Sequence, residues 1–183
     1  VPLLGLPEGH TVRFVFPHAP IQAVTINGGM QMRAWFDIRT MELMDDVDAA
    51  GIRVSCYQAY DLIQQQIQAG IPAERIVLAG FSQGGLIALH AALSYERALA
   101  GVLALSTYCP MPEQFYLHRA LPIMMTHGLA DPVIPLAVAQ YSRQALEQQG
   151  YAVEWHTYNM AHQVCGEEIE EIGRWLTRVL KLE

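Results

Sequence analysis

IVLAGFSQGGLIALHAAL, residues 76–93, passes from an apolar β-branched run, through glycines bracketing one serine, into an apolar pattern of helical spacing. Ile76-Val77-Leu78-Ala79 reads as a short buried strand, and Leu86, Leu89, His90 and Leu93 recur at helical intervals. Between them Ser82 has Gly80 two residues before it and Gly84 two after, the pattern G-x-S-x-G. The basis of that pattern is geometric. A sharp strand-to-helix turn strains the serine backbone, and flanking residues without a Cβ let the chain pack closely enough to leave Oγ exposed. A solvated serine in a glycine-rich turn has the same letters; the strand before and the helix after favour the nucleophile turn.

The rest of the chain bounds what such a turn can serve. Its 183 residues suffice for one domain with a substantial core, and 52% hydrophobic composition is that of a globular protein. The formal charge of −7 is scattered along the chain and not gathered in a tail, which argues against nucleic acid and anionic membrane surfaces as partners. Cys56, Cys109 and Cys165 form no C-x-x-C or Cys/His cluster, so buried reduced thiols are expected, with neither a disulfide framework nor a metal site. No run approaches the length of a membrane span, and no leader-like pattern opens the chain, so stable membrane insertion is not expected and the location is read as cytoplasmic.

Outward from the serine, strands alternate with helices. TVRFVF (11–16) has strand alternation, and the following PHAPIQAVTINGGMQMRAWFDI, with three prolines and the Asn27-Gly28-Gly29 turn signal, is expected to be irregular surface chain. Cys56, Tyr60, Ile63 and Ile67 mark an amphipathic helix stopped by Gly70 and Pro72. Strands are expected at 102–106, 122–128 and 153–158, a helix over about 136–149, and a last helix from Gly166 presenting Ile169, Ile172, Leu176 and Val179. Such alternation implies an α/β class with a mostly parallel central sheet and helices on both faces. In that architecture the loops at the carboxyl ends of strands carry the site, which is where Ser82, HGLADP and NMAH fall.

A serine hydroxyl needs a general base, and the base needs a third group to fix its tautomer. In α/β-hydrolases the chain order is Ser, acid, His. After Ser82 the only aspartate is Asp131; Glu154 lies in a strand, and Glu96, Glu147 and the EEIEE run in helices, although Glu can fill the role. Beyond Asp131 stand His156, inside a strand and read as packed or edge-facing, and His162, in the loop after it and read as the base. His127, four residues before Asp131, is expected to be a structural hydrogen-bonder in the acid loop.

LAGFSQGG, GVLALSTYCP, HGLADPVIP and MAHQVCGEEIEEIGRWL, in that order and spacing, resemble the carboxylesterase, lysophospholipase and acyl-protein thioesterase group of small serine α/β-hydrolases. PHAP…INGGMQMRAWFDI looks like the bacterial carboxylesterase branch. The resemblance implies an α/β-hydrolase fold over a single domain, 1–183, with the triad Ser82, Asp131 and His162. It implies the Gln83 N–H as an oxyanion donor and Trp35 either beside the acyl-binding cleft or as a core aromatic. The implied activity is hydrolysis of short- to medium-chain carboxylic esters through an acyl-enzyme, without metal or other cofactor. The alternatives are an acyl-protein thioesterase or lysophospholipase, or an inactive binding module. A small-molecule ester is the implied partner, and a homodimer is left open. The family's first strand with its H-G-x-G loop, the second oxyanion donor, has no counterpart in the chain. It is expected upstream, between the strand at 11–16 and that at 76–79; a strand lent by a partner chain or direct pairing of those two segments are the alternatives.

Overall fold

The computed structural model describes residues 1–182. Its centre is a four-stranded parallel sheet made of β3 (Val77–Phe81), β4 (Gly101–Leu105), β5 (Ile123–Gly128) and β6 (Val153–Tyr158), in that spatial order. Helices follow three of the four strands and cover the faces of the sheet: α2 (Gln83–Ser94) follows β3, α3 (Leu136–Gln148) follows β5 and α4 (Gly166–Leu180) follows β6. Alternate side chains go to opposite faces, as the two-residue period of a strand requires. Val102, Ala104, Ile123 and Met125 pack under α2, α3 and α1 (Ala49–Gln68), while Leu103 and Met124 meet Ile172, Trp175 and Leu176 of α4. Burial on both faces is why β4 and β5 read as continuous apolar runs. The expected α/β-hydrolase architecture, with helices on both faces of a parallel sheet, is the observed one.

Three expectations about the first third of the chain need correction. Residues 11–16 are extended and alternate in exposure, but they form no strand, because no neighbouring chain pairs with them; in particular they do not pair with β3. Val12 packs beside Leu4 and Leu6 against α4, and Phe14 stacks on an exposed Phe16. The segment expected to be irregular contains an antiparallel hairpin, β1 (Ile21–Val24) and β2 (Met30–Arg33), around the Asn27-Gly28-Gly29 turn. Both glycines have positive φ, 66° and 77°, so the turn signal was real; strands of four residues, with β2 exposed on both faces, leave no apolar alternation to read. Finally, α1 begins at Ala49, well before Cys56, because Asp48 caps it by accepting the Gly51 N–H at 3.1 Å.

Among the described residues, β3 pairs only with β4, so its other edge presents unpaired backbone groups. No described helix is long and apolar enough to cross a membrane. Cys56 and Cys109 are buried and Cys165 half-buried, all unpaired; burial pushes the Cys56 thiol up to about 12, which makes it inert near neutrality.

Candidate active site

The site residues sit at the carboxyl ends of three strands. Ser82 follows β3, Asp131 lies just beyond β5 and His162 just beyond β6. Ser82 has φ 55° and ψ −122°, a conformation that costs of order 1–3 kcal/mol for a residue with a side chain. Its carbonyl accepts from the Gly85 and Leu86 N–H groups and from the Thr107 hydroxyl at 2.7 Å, which fixes the turn. Ser82 is also the residue that starts α2, yet its Oγ makes no capping hydrogen bond and is not consumed by the helix. A Cβ built on Gly80 would overlap the Gly84 carbonyl, and one on Gly85 would come within 2.8 Å of Thr107 Cγ2. Gly84 is different: its Cβ would meet only Trp35 Nε1, at 3.7 Å. The pair that demands glycine is therefore Gly80 and Gly85, not the Gly80 and Gly84 of the sequence pattern.

Asp131 and His162 are brought together. Their loops are stitched by backbone bonds, Leu129 N–H to Tyr158 O at 2.8 Å and Ala130 N–H to Met160 O at 3.1 Å. Gly128 permits this, since a Cβ there would strike the Met160 and Ala161 carbonyls. Asp131 Oδ2 accepts from His162 Nδ1 at 2.7 Å, and Oδ1 accepts the Val133 and Ile134 N–H groups at 2.8 and 2.9 Å. Burial by itself would raise the Asp131 carboxyl, but these hydrogen bonds outweigh it and hold the group below the ordinary carboxylate range. With the proton of His162 on Nδ1, facing an acceptor-only carboxylate, Nε2 keeps its lone pair free for proton transfer. The His162 ring packs against Phe81, the neighbour of Ser82, with centroids 4.7 Å apart.

His127 is fully buried; Nε2 donates to the Ile134 carbonyl at 2.8 Å and lies 3.5 Å from Asp131 Oδ2, a structural bond in the acid loop as expected. His156 bonds Glu154 at 3.2 Å on β6, away from the acid loop's hydrogen-bond set. Gln83 opens α2, so its backbone N–H belongs to the unpaired first turn at the positive end of a helix. Its side chain does something the sequence did not disclose. Oε1 accepts the Trp35 N–H and Nε2 donates to the Phe36 carbonyl, both at 3.0 Å, clamping residues 35 and 36 onto the elbow. Trp35 is thus beside α2 and half-buried against the Phe36, Ile52 and Leu86 cluster, with features of both readings offered for it.

Two further groups of acidic side chains are candidate ligand or proton sites. Glu154, His156 and Glu171 offer ligand atoms within 4.8 Å of one another, but Arg178 already pairs with Glu154 and Arg174 bonds Glu171 through Nε at 3.1 Å. A cation there would displace two guanidinium groups. Glu168, in the first turn of α4, is fully buried; the Thr126 hydroxyl and Cys165 N–H donate to it, while Oε2 has no partner. Burial raises this carboxyl despite those two bonds. A carboxyl raised on folding contributes stability that is complete below its unfolded value, about 4.3, and lost as pH climbs through the folded value. Glu168→Gln keeps both acceptor contacts without the charge. It is expected to raise Tm at pH 8 by about 2–5 °C and to flatten the decline of Tm with rising pH, as read by calorimetry; a lower Tm at pH 8 would show that the ionised form is required.

Comparison with known proteins gives the family and the fold. The phospholipase/carboxylesterase family matches residues 8–180. Acyl-protein thioesterase 1 of Neurospora crassa is 40% identical over 92% of the chain and 74% of its own length. That of Cryptococcus neoformans is 36% identical over 93% and 81%. Among solved structures, Arabidopsis thaliana SOBER1 superposes with a TM-score of 0.90 at 27% identity, covering 98% of the chain and 89% of its own. Zea mays acyl-protein thioesterase 2 gives 0.78 at 27% identity over 90% and 80%. These relatives are eukaryotic, so the expected tie to the bacterial carboxylesterase branch finds no support. A strand-to-helix elbow with an uncommitted serine and a carboxylate-bound histidine at the neighbouring strand ends thus coincides with a match over nearly the whole length, and the chain belongs to the phospholipase/carboxylesterase family of α/β-hydrolases.

Proposed function

We propose that the protein hydrolyses acyl thioesters, of the kind that join a fatty acyl group to a protein thiol, through an acyl-enzyme on Ser82. The observation that carries the chemistry is the Ser82 elbow with its Oγ uncommitted, beside an Asp131–His162 pair bonded at 2.7 Å. In the first step Ser82 Oγ attacks the carbonyl carbon and passes its proton to His162 Nε2. Asp131 stabilises the imidazolium, and the Gln83 N–H receives the charge growing on oxygen. The carbon–sulfur bond then breaks and His162 returns the proton to the departing sulfur. Water attacks the acyl-enzyme in the same manner, releasing the acid and restoring Ser82.

Thioesters are preferred over the carboxylic esters first expected because the fungal relatives bear the name acyl-protein thioesterase. An acyl substrate also suits the apolar side chains around the triad: Leu129 and Val133 flank Asp131, Val164 follows His162, and all three are exposed. Carboxylesterase or lysophospholipase activity is the second reading, since the same acyl-enzyme serves an oxygen leaving group. Against a non-catalytic module stands the retention of a serine, an aspartate and a histidine at the strand ends where such chemistry needs them, since a retired site has no chemical reason to keep all three.

The test is a panel pairing S-acyl peptides with p-nitrophenyl esters of equal chain length. The S-acyl peptides are expected to show the higher kcat/KM, by about tenfold or more, a difference of at least about 1.4 kcal/mol in the barrier; preference for the esters would return the reading to carboxylesterase. In the same assay His162→Ala is expected to lose about 10³–10⁵ in kcat, while His156→Ala stays within about twofold. The reverse pattern would mean that the base is misassigned.

A further inference from the structure

We propose that Phe81 is a positioning residue for His162, holding the imidazole at its working angle through an aromatic face that the sequence pattern leaves unspecified. The inference rests on the reading of His162 as the base. Phe81 closes β3 and immediately precedes Ser82. Its ring lies 4.7 Å from the His162 ring, inclined at 48°, and 37% of the residue is exposed, at the mouth of the strand end that carries the serine turn. His162 is fixed on its other side by one hydrogen bond, Nδ1 to Asp131 Oδ2. One such bond sets a distance but leaves the ring free to rock about the bond axis, and Nε2, the atom that must meet Ser82 Oγ, travels furthest in that motion. A ring packed against the imidazole at 4.7 Å, inclined at 48°, opposes that motion.

Sheet order explains why the support comes from this position. β3 carries Ser82 and β6 leads to His162, with β4 and β5 between them, so the ladder does not tie nucleophile and base to each other directly. Asp131 and His162 are joined through the neighbouring strands β5 and β6. Phe81 provides the contact from the β3 side. Because it is the residue next to Ser82, the strained turn that sets Oγ also sets the ring, and both halves of the proton transfer are referenced to one short stretch of backbone. The ring also has a charge preference: its electron-rich face favours the imidazolium that forms as the serine proton arrives, so the support strengthens as the transition state is approached.

The Asp131 carboxylate and the Phe81 ring both face His162, and the test separates them. Two variants are compared with the parent, Phe81→Leu, which keeps apolar bulk without a π face, and Phe81→Tyr, which keeps the face. Each is assayed by steady-state kinetics and by proton NMR of the low-field Nδ1–H of His162, identified by its disappearance in His162→Gln. Phe81→Leu is expected to lower kcat about tenfold with KM within about twofold, as for a reacting group displaced by a fraction of an ångström. It is also expected to broaden the low-field proton through faster exchange with water. Phe81→Tyr is expected to match the parent in both. Parent-like kcat and an unbroadened proton in Phe81→Leu would overturn the proposal, and so would a Phe81→Tyr variant as impaired as Phe81→Leu. Should the parent hydrolyse neither thioesters nor esters, the functional reading fails by itself. The NMR comparison, which requires only the Asp131–His162 bond, still decides whether Phe81 holds the ring.

Discussion

Ser82→Ala is expected to abolish hydrolysis, with kcat falling by about 10⁴–10⁶ while the protein keeps its fold. The loss is that large because, on the proposed mechanism, Oγ is the atom that becomes covalently bound to the acyl group, and no neighbouring hydroxyl can replace it. Thr107 donates its hydroxyl to the Ser82 carbonyl, and Ser106 and Ser142 are buried. Folding should be unharmed because Oγ caps nothing, so its removal leaves no helix donor newly unpaired. A fluorophosphonate is expected to add to the parent at Ser82 and to leave the alanine variant unmodified, as intact mass and peptide mapping would show. Labelling at Ser106 or Ser142 with Ser82 untouched would refute the assignment of the nucleophile.

The second large effect concerns backbone. Gly80→Ala is expected to destabilise the protein by more than about 3 kcal/mol, enough to leave it aggregated or largely unfolded when expressed. The new methyl group would overlap the Gly84 carbonyl, and neither backbone can retreat without parting β3 from α2. Gly84→Ala should lie within about 1 kcal/mol of the parent, because the added methyl would reach only ordinary contact with Trp35 Nε1. Chemical denaturation of the two variants distinguishes the cases. Equal stabilities would mean that the strand and helix are less tightly opposed than the structure has them.

The contrast between those two glycines illustrates what was legible in the sequence. The pattern G-x-S-x-G marked both equally, since letters record the absence of a side chain and not the space around it. The core strands and helices could be read because β4, β5 and α4 bury continuous or periodic apolar faces, which composition and spacing display directly. Asp131 and His162 could be read because chain order and the ends of strands leave few choices, and the structure joins them at 2.7 Å. Residues 11–16 misled because alternation is a property of one segment, whereas a strand needs a partner that the segment cannot announce. The hairpin at residues 21–33 was missed for the opposite reason, being paired but exposed. The Gln83 clamp on Trp35 and Phe36 spans 48 and 47 residues, and a polar side chain reaching that far leaves no local mark. Phe81 against His162 is hidden likewise, because one apolar residue at a strand end looks like any other.

The order of the strands also bears on how the protein comes into being. No neighbouring pair in the four-stranded sheet is joined by a hairpin; every pairing waits for a crossover to close, and loop closure without local reward makes such topologies slow to form. Ser82 precedes β4, β5 and β6 along the chain, and the segment that leads to His162 runs along β6, which follows the other three strands of this sheet. A nascent or partly refolded chain can therefore display its elbow serine for some time without a base to activate it. On the proposed mechanism, competence to form an acyl-enzyme waits for β6 to pair with β5, so the chemistry is gated by a late step of sheet assembly.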